Sequence, residues 1–154
     1  MGLKERLKRE LKTDHKSDVN WEKRKNDWLN SIETLYGRIT GWFSDYESEG
    51  LVSFDYSEKT HSEDYIGEYS TKKLHLRFTN GKEVVVEPMG TLIIGAWGRF
   101  DFYLRGYNSH KYYILIFKDD DQSPRWSIVN AETKKEQQPL SKRYLEKVID
   151  TWFS

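Results

Sequence analysis

The chain of 154 residues contains no cysteine and only three prolines, and it has no long apolar run. The absence of cysteine excludes disulfide bridges, thiolate metal ligands and cysteine nucleophiles. A transmembrane helix needs about 20 mostly apolar residues in a row, which this sequence does not offer. Its basic first residues also lack the apolar centre of a signal peptide. We therefore expect a cytoplasmic protein without a membrane span.

Aromatic and charged side chains are abundant instead, at 15% and 32% of the residues, and the net charge is zero. The charge is nevertheless segregated along the chain. Residues 1–25 carry nine basic and five acidic side chains, residues 44–68 one and eight, and residues 69–118 eight and three. A protein that mainly grips a phosphate backbone usually has a basic balance overall. The neutral balance here favours other partners.

The first residues form a basic segment with a narrow apolar stripe. Leu3, Leu7 and Leu11 recur every four residues, which predicts a helical arm over residues 1–17 ahead of a single domain at 18–154. The arm either serves an anionic surface or a partner helix, or packs loosely on its own domain. We favour the second, because the stripe is only one residue wide.

Two amphipathic helices are expected near the ends of the domain. A broad apolar stripe predicts the first over about 18–36, because Gly37 and Gly41 disfavour its continuation. The second is expected over about 141–152, with Ser141 as its N-cap. Both helices should face a shared core.

Between these helices the apolar period changes to two, which is typical of strands. The predicted strands are 51–56, 65–70, 73–79, 82–87, 91–94, 99–105, 112–118 and 125–129. Residues 57–64 read as a polar connection, and Pro88 with the glycines after it predicts a sharp corner. The fold class is α+β: a mostly antiparallel, strongly bent sheet of about six to eight strands with a helix at each end.

An Asn-Gly pair at 80–81 predicts a hairpin with a two-residue type I′ turn. Counting outward from that turn sets Leu76 opposite Val85 and His75 opposite Val86. Both faces of the hairpin would then carry apolar side chains. Either a bulge shifts the register, or the sheet is covered on both sides here. We favour cover on both sides.

The strongest candidate for a ligand-facing surface lies on the strand at 99–105. Its polar face carries Arg99, Asp101, Tyr103 and Arg105, with Trp97 just before the strand. An arginine beside an aspartate can bind a carboxylate or another anion while the aspartate orients the guanidinium. The alternative is a solvated face whose charges pair across strands.

Other candidate chemistry is sparser. His75 and His110 could act as an acid–base pair in metal-independent RNA cleavage. Separately, the aromatic residues interleaved with basic ones suit stacking on single-stranded nucleic acid. The acids at 119–121 fall in a turn, where acids are expected without any metal. The histidines lack metal-ligand spacing. We predict no metal site and no cofactor.

The segment 67–102 joins a strand pair to a proline-glycine corner and then to an Ile-Gly-Ala-x-Gly-Arg-x-Asp run. It resembles a stretch found in small uncharacterised bacterial proteins and covers about a quarter of the chain. The resemblance implies a bacterial source and carries no activity with it.

Taken together, these patterns favour a non-catalytic intracellular binding or interaction domain with a protein partner. No complete catalytic set is visible in the sequence, whereas aromatic side chains and segregated charges suit partner recognition. The alternative is a nucleic-acid-binding protein with metal-independent ribonuclease activity. Homo-oligomerisation stays open.

Overall fold

The structure is a computed structural model that describes residues 2–91, 96–118 and 123–154, apart from the side chains of residues 9–20 and 108. Most of the strand predicted at 91–94 lies outside the described residues, and so do Gly95 and the acids at 119–121. Within the described part of the chain, no helix has the length and apolar character needed to span a bilayer.

The described residues form three α-helices, one short 3₁₀ turn and a single seven-stranded sheet. The helices are α1 (Leu3–Trp42), α2 (Ser44–Ser48) and α3 (Lys142–Phe153), and the 3₁₀ turn is Asn108–His110. The strands are β1 (Val52–Glu63), β2 (Gly67–Phe78), β3 (Glu83–Gly90), β4 (Gly98–Leu104), β5 (Tyr112–Lys118), β6 (Pro124–Asn130) and β7 (Gln138–Pro139). Neighbouring strands pair antiparallel in chain order. The predicted α+β class, with a helix at each end of an antiparallel sheet, is confirmed.

Helix α1 covers one face of the sheet, here named the inner face, with a continuous apolar stripe. Its buried side chains are Trp28, Ile32, Leu35, Tyr36 and Ile39, and Phe43 directly after the helix is buried with them. The helix includes the predicted segment but is longer at both ends. It continues through Gly37 and Gly41 because Ile39 and Phe43 beyond them are 0% and 1% exposed. Core packing therefore outweighs the poor helix propensity of glycine.

The inner face holds the core, and α3 closes one end of it. The fully buried strand residues on this face include Leu74, Leu76, Val84, Val86, Phe100, Phe102, Ile114 and Ile116. Leu145, Val148 and Ile149 pack against them from α3. Ser141 caps that helix as predicted, since its hydroxyl accepts a hydrogen bond of 3.2 Å from the Tyr144 amide. The opposite face of the sheet is named the outer face.

The register of the β2–β3 hairpin differs from the expected one by one residue. Leu76 pairs with Val84 and His75 with Val85. The Phe78 amide donates to the Lys82 carbonyl, so the loop has three residues and ends on Gly81 at φ +83°. This geometry is a turn followed by a left-handed glycine, in place of the type I′ turn. The shifted register, which we had not favoured, puts Leu76 and Val84 together on the inner face.

The polar connection expected at 57–64 is also wrong, because residues 57–63 extend β1 along β2 and only Asp64 of this segment lies in the turn. Glu58 pairs with Lys72 and Ser62 with Glu68 in one uninterrupted ladder of twelve pairs. Pairing between polar or oppositely charged side chains supports a strand without an apolar alternation. The predicted strands 65–70 and 73–79 are correspondingly one strand.

Beyond the β1–β2 hairpin, the sheet departs from regular pairing at two places. Only residues 74–77 of β2 pair with β3, and the Tyr36 hydroxyl donates to the Lys72 carbonyl where the two strands separate. The β3–β4 register shifts between Pro88 and Gly90, at the predicted corner. The strong bend expected there stays a prediction.

We predict opposite effects for two glycine-to-alanine substitutions. A Cβ at Gly98 would lie 2.6 Å from the Trp28 ring, whereas a Cβ at Gly37 meets no atom within 4 Å. Gly98→Ala should therefore lower the free energy of unfolding by about 1–3 kcal/mol through overpacking. Gly37→Ala, the matched control, should raise it by about 0.5–1 kcal/mol. Urea unfolding followed by tryptophan fluorescence measures both, and equal effects would contradict this account of the α1–sheet contact.

Candidate functional site

The strand β4 presents its polar residues as its alternation predicts, but they do not all face solvent freely. Asp101 and Tyr103 lie on the outer face, and they alternate along the strand with Phe100, Phe102 and Leu104, which are buried on the inner face. Trp97 differs from them, because its ring packs beside Trp28 of α1 with a centroid distance of 6.1 Å. The predicted set is therefore divided between the two sides of the sheet.

Asp101 is the centre of a closed charge cluster. It is 4% exposed, and it accepts a hydrogen bond of 3.1 Å from Lys111. The Arg99 Nε atom lies 3.2 Å from Asp101 Oδ1 but is not aligned for a hydrogen bond. The Arg99 guanidinium also lies 4.4 Å from the centre of the Tyr113 ring, at cation–π distance. Arg99 and Asp101 thus already have partners within the sheet.

Tyr103 belongs to a second cluster around Glu87. The Tyr103 hydroxyl donates to Glu87 over 2.9 Å, and the Lys59 ammonium lies 2.7 Å from the other carboxylate oxygen. Burial alone would raise the pKa of Glu87, but the hydrogen bonds from Lys59 and Tyr103 outweigh it and lower that pKa. Burial and the bond to Glu87 raise the pKa of Tyr103, so its phenol stays a donor.

Glu83 holds the third cluster, at the end of the same face. It accepts hydrogen bonds from Arg77 over 2.8 Å and from Arg105 over 2.9 Å, and His75 Nδ1 lies 3.4 Å away. The opposite nitrogen of His75 bonds the Ser57 hydroxyl over 2.6 Å. Despite this shared carboxylate, the Arg77 and Arg105 side chains are 52% and 72% exposed. The Arg77 Nη1 atom also lies 3.0 Å from the Asp55 carboxylate, so Arg105 is the more accessible of the two arginines.

A cleft of about 540 Å³ opens beside these two arginines. This cleft, the basic cleft, is lined by Arg77, Phe78, Gly81, Lys82, Glu83, Leu104, Arg105 and Tyr107. Its lining carries three cations and one acid, and that acid is already shared by two of the cations. An anion with planar oxygens, such as a carboxylate, matches the fork of a guanidinium.

A second concavity of about 370 Å³, the aromatic pocket, lies between the β4–β5 connection and α3. It is lined by Leu104, Tyr107, His110, Tyr112, Asn130, Thr151 and Trp152. Among these described lining residues there is no lysine, arginine or acid. The Tyr112 and Trp152 rings meet edge to face at 6.0 Å, and Trp152 Nε1 donates to the His110 carbonyl. The pocket suits an apolar or aromatic group.

The two concavities adjoin. Leu104 and Tyr107 line both, so the end of β4 and the turn after it form their common wall. Tyr107 is 57% exposed and is accessible to a ligand that spans the two. A ligand with a carboxylate next to an apolar side chain would place one group on each side of this wall.

The proposed acid–base pair is not brought together. His75 lies on the outer face beside Ser57 and Glu83. His110 lies in the 3₁₀ turn, where its carbonyl meets Trp152 of α3 on the opposite side of the sheet. No group of three or more potential ligands that could hold a metal ion occurs among the described residues.

The sequence predicts Arg105 as a candidate site residue, but it does not predict Lys82 and Glu83, which line the basic cleft beside it. Lys82 and Glu83 follow the Asn-Gly turn, and their position beside Arg105 depends on the β2–β3–β4 register. Trp152 lies in the core-facing stripe of α3, where its ring centre is 5.1 Å from that of Phe102. Its stripe position gave no signal that one edge of the ring lines a pocket.

Comparison of the chain with models of protein families, with curated proteins and with solved structures found no match in any of the three.

We predict that the outer-face clusters make stability depend on pH below about 4.5, the ordinary pKa of a glutamate. Glu87 has a lowered pKa when folded, so its stabilisation is complete above that pH and is lost as pH falls through the folded pKa. Glu87→Gln should remove part of this dependence and cost on the order of 1 kcal/mol at pH 7. Urea unfolding between pH 3 and 7 measures both effects.

The same substitution at exposed Glu58 controls for the change in net charge. If Glu87→Gln and the wild type lose stability in parallel down to pH 3, the bonds to Lys59 and Tyr103 do not stabilise the carboxylate as described.

Proposed function

We propose that the protein is a non-catalytic binding domain that captures a short acidic segment of a protein partner. The single observation that carries this proposal is the common wall of Leu104 and Tyr107 between the basic cleft and the aromatic pocket. The ligand that fits has an aspartate or glutamate beside an apolar or aromatic residue. The absence of cysteine supports a reducing compartment, such as the cytoplasm, as the place of this binding.

The cations of the basic cleft would bind the carboxylate of the ligand. Arg105 is anchored by one nitrogen to Glu83, which fixes the guanidinium while most of its surface stays open. An arginine that is already oriented loses less side-chain freedom when it binds a carboxylate. Lys82, which is half-buried, adds a second cation to the lining of the same cleft. Arg105, one of the predicted ligand-facing residues, is the central binding residue of this proposal.

The aromatic rings of the second pocket would bind the apolar side chain of the ligand. Tyr and Trp bury large areas with few rotatable bonds, which is why they are frequent at the energetic centres of interfaces. Tyr107, Tyr112 and Trp152 meet this description, and Tyr112 and Trp152 are held in place by packing against each other. A protein side chain is the natural occupant of such a pocket.

The same geometry weighs against nucleic acid, the second candidate. Stacking on bases needs free ring faces. Arg99 lies over the Tyr113 ring, and the Lys118 ammonium lies 3.9 Å from the centre of the Trp97 ring. The rings of Tyr113 and Trp97 thus each have one face covered by a cation of the same chain. A protein ligand is favoured for that reason.

We predict that selection from a phage-displayed library of random peptides will enrich an acidic residue next to an apolar or aromatic one. A synthetic peptide of the enriched sequence should lose about tenfold or more in affinity for Arg105→Ala, because a hydrogen bond to a charged group contributes about 1.5–3 kcal/mol. Fluorescence anisotropy with a labelled peptide gives the dissociation constants, and circular dichroism checks the fold of each variant.

Arg143→Ala is the matched control, since Arg143 is exposed on α3 and lines neither concavity. Equal affinities of the two arginine variants would overturn the proposed site. Tight binding of a labelled single-stranded RNA at about 50 mM salt, with no peptide enriched, would establish the nucleic-acid alternative instead.

A further inference from the structure

The side chains of residues 3–8, at the start of α1, are exposed. Leu3 and Leu7 are 73% and 50% exposed. Further along the helix, the Trp21 ring stacks on Tyr65 at 5.4 Å, and Trp28 is fully buried. We name the exposed segment, residues 3–8, the arm of α1.

The exposed leucines continue the core-facing side of the same helix. Leu7, Trp21 and Trp28 are separated by multiples of seven residues, so they lie on nearly the same side of an α-helix. Leu7 thus lies in line with the core-facing side of α1, although it is itself exposed. Lys4, Arg6 and Lys8 against the single acid Glu5 make this exposed part of the arm basic.

A groove with the complementary character lies at the other end of α1. This groove of about 270 Å³, the end groove, is lined by Phe43, Tyr46, Leu51, Phe78, Thr79, Asn80, Glu146, Ile149, Asp150 and Phe153. Its charged lining consists, among the described residues, of the two acids Glu146 and Asp150. Leu51 at its edge is 42% exposed. Glu47 and Glu49 are exposed nearby, whereas Lys82 and Lys142 lie at the border.

The arm cannot fill the end groove of its own molecule. Helix α1 is continuous over 40 residues, which places Leu3 about 60 Å from the end of the helix beside the groove. A basic, leucine-bearing helix that enters the groove must therefore come from another molecule. Every copy of the chain carries both halves of this contact, an arm and a groove at opposite ends of one helix.

We propose that the arm of one copy docks in the end groove of a second copy, and that the second arm returns the contact in a closed two-fold dimer. Leu3 and Leu7 enter the apolar floor around Phe43, Leu51 and Phe153, and the arm's cations face Glu146 and Asp150. A two-fold arrangement with antiparallel helices satisfies both contacts at once, since each arm then lies at the partner's far end. The end groove adjoins the basic cleft, since Phe78 lines both, but Arg105 and Tyr107 of the proposed ligand site do not line the groove.

The first test is the mass in solution, measured by sedimentation equilibrium on the full chain. The wild type should dimerise, and the double variant Leu3→Asp with Leu7→Asp should weaken dimerisation about tenfold or more for each leucine whose burial is lost. Leu51→Asp should do the same from the groove side. Tyr107→Asp, an equally polar change at an exposed site outside the groove, should leave the dimer intact. A wild type that stays monomeric at about 1 mM overturns the proposal.

The second test uses the absence of cysteine, which removes all background from disulfide cross-linking. A Leu7→Cys copy is mixed with a differently sized, tagged Leu51→Cys copy under mild oxidation. The disulfide between the two copies should form at least about tenfold faster than that between Leu7→Cys and a Tyr107→Cys control, because a disulfide needs its Cα atoms within about 7 Å.

The competing arrangement, two arms paired with each other, gives the opposite pattern. Leu7→Cys would then cross-link mainly to itself, and Leu51→Asp would still dimerise. Either result overturns docking in the groove. Loss of peptide binding by Arg105→Ala with an intact dimer, or the reverse for Leu51→Asp, separates the failure of one proposal from the failure of the other.

Discussion

The contact between Trp28 of α1 and the sheet at Gly98 is the constraint on which the rest of the fold depends. Trp28 is fully buried, its ring lies 4.9 Å from Phe100, and only a glycine opposite it leaves room for such close approach. Because the helix lies flat over the central strands, one face of each central strand must be apolar. The Tyr36 hydroxyl then satisfies a carbonyl where β2 leaves β3.

When helices cover only one side of a sheet, the charged side chains on the other side pair with one another or with solvent. Here the acids Glu83, Glu87 and Asp101 are each paired with a basic residue that lies in another strand or next to one. Charges that are paired across strands cover the buried Val85 and need no ligand of their own. The pairing becomes incomplete at the end of β4, where Arg105 has one bond to the sheet and most of its surface in solvent. A binding cleft is expected at this end of β4, because the Arg105 guanidinium is held in a fixed orientation and still has N–H groups without a partner among the described residues of the sheet.

The sequence predicts those parts of this arrangement that follow from periodicity. The alternation of β4 and the Ser141 cap depend on neighbouring residues only, and both were predicted correctly. The β2–β3 register was not, because an Asn-Gly pair fits loops of two or three residues and the choice depends on which partner buries Leu76. Spacing along the chain also could not show that the β4–β5 turn puts His110 beside α3, away from His75.

The zero net charge of the chain conceals two oppositely charged concavities that share one turn. Phe78 lines both the basic cleft and the end groove, and Lys82 lines the first while its ammonium lies 5.3 Å from the Phe153 ring of the second. The three-residue loop with left-handed Gly81 sets which side each residue takes. A two-residue turn would move Glu83 and Val84 to the opposite faces and would separate Glu83 from Arg77 and Arg105. The register that buries the core therefore also creates the boundary between the two surfaces.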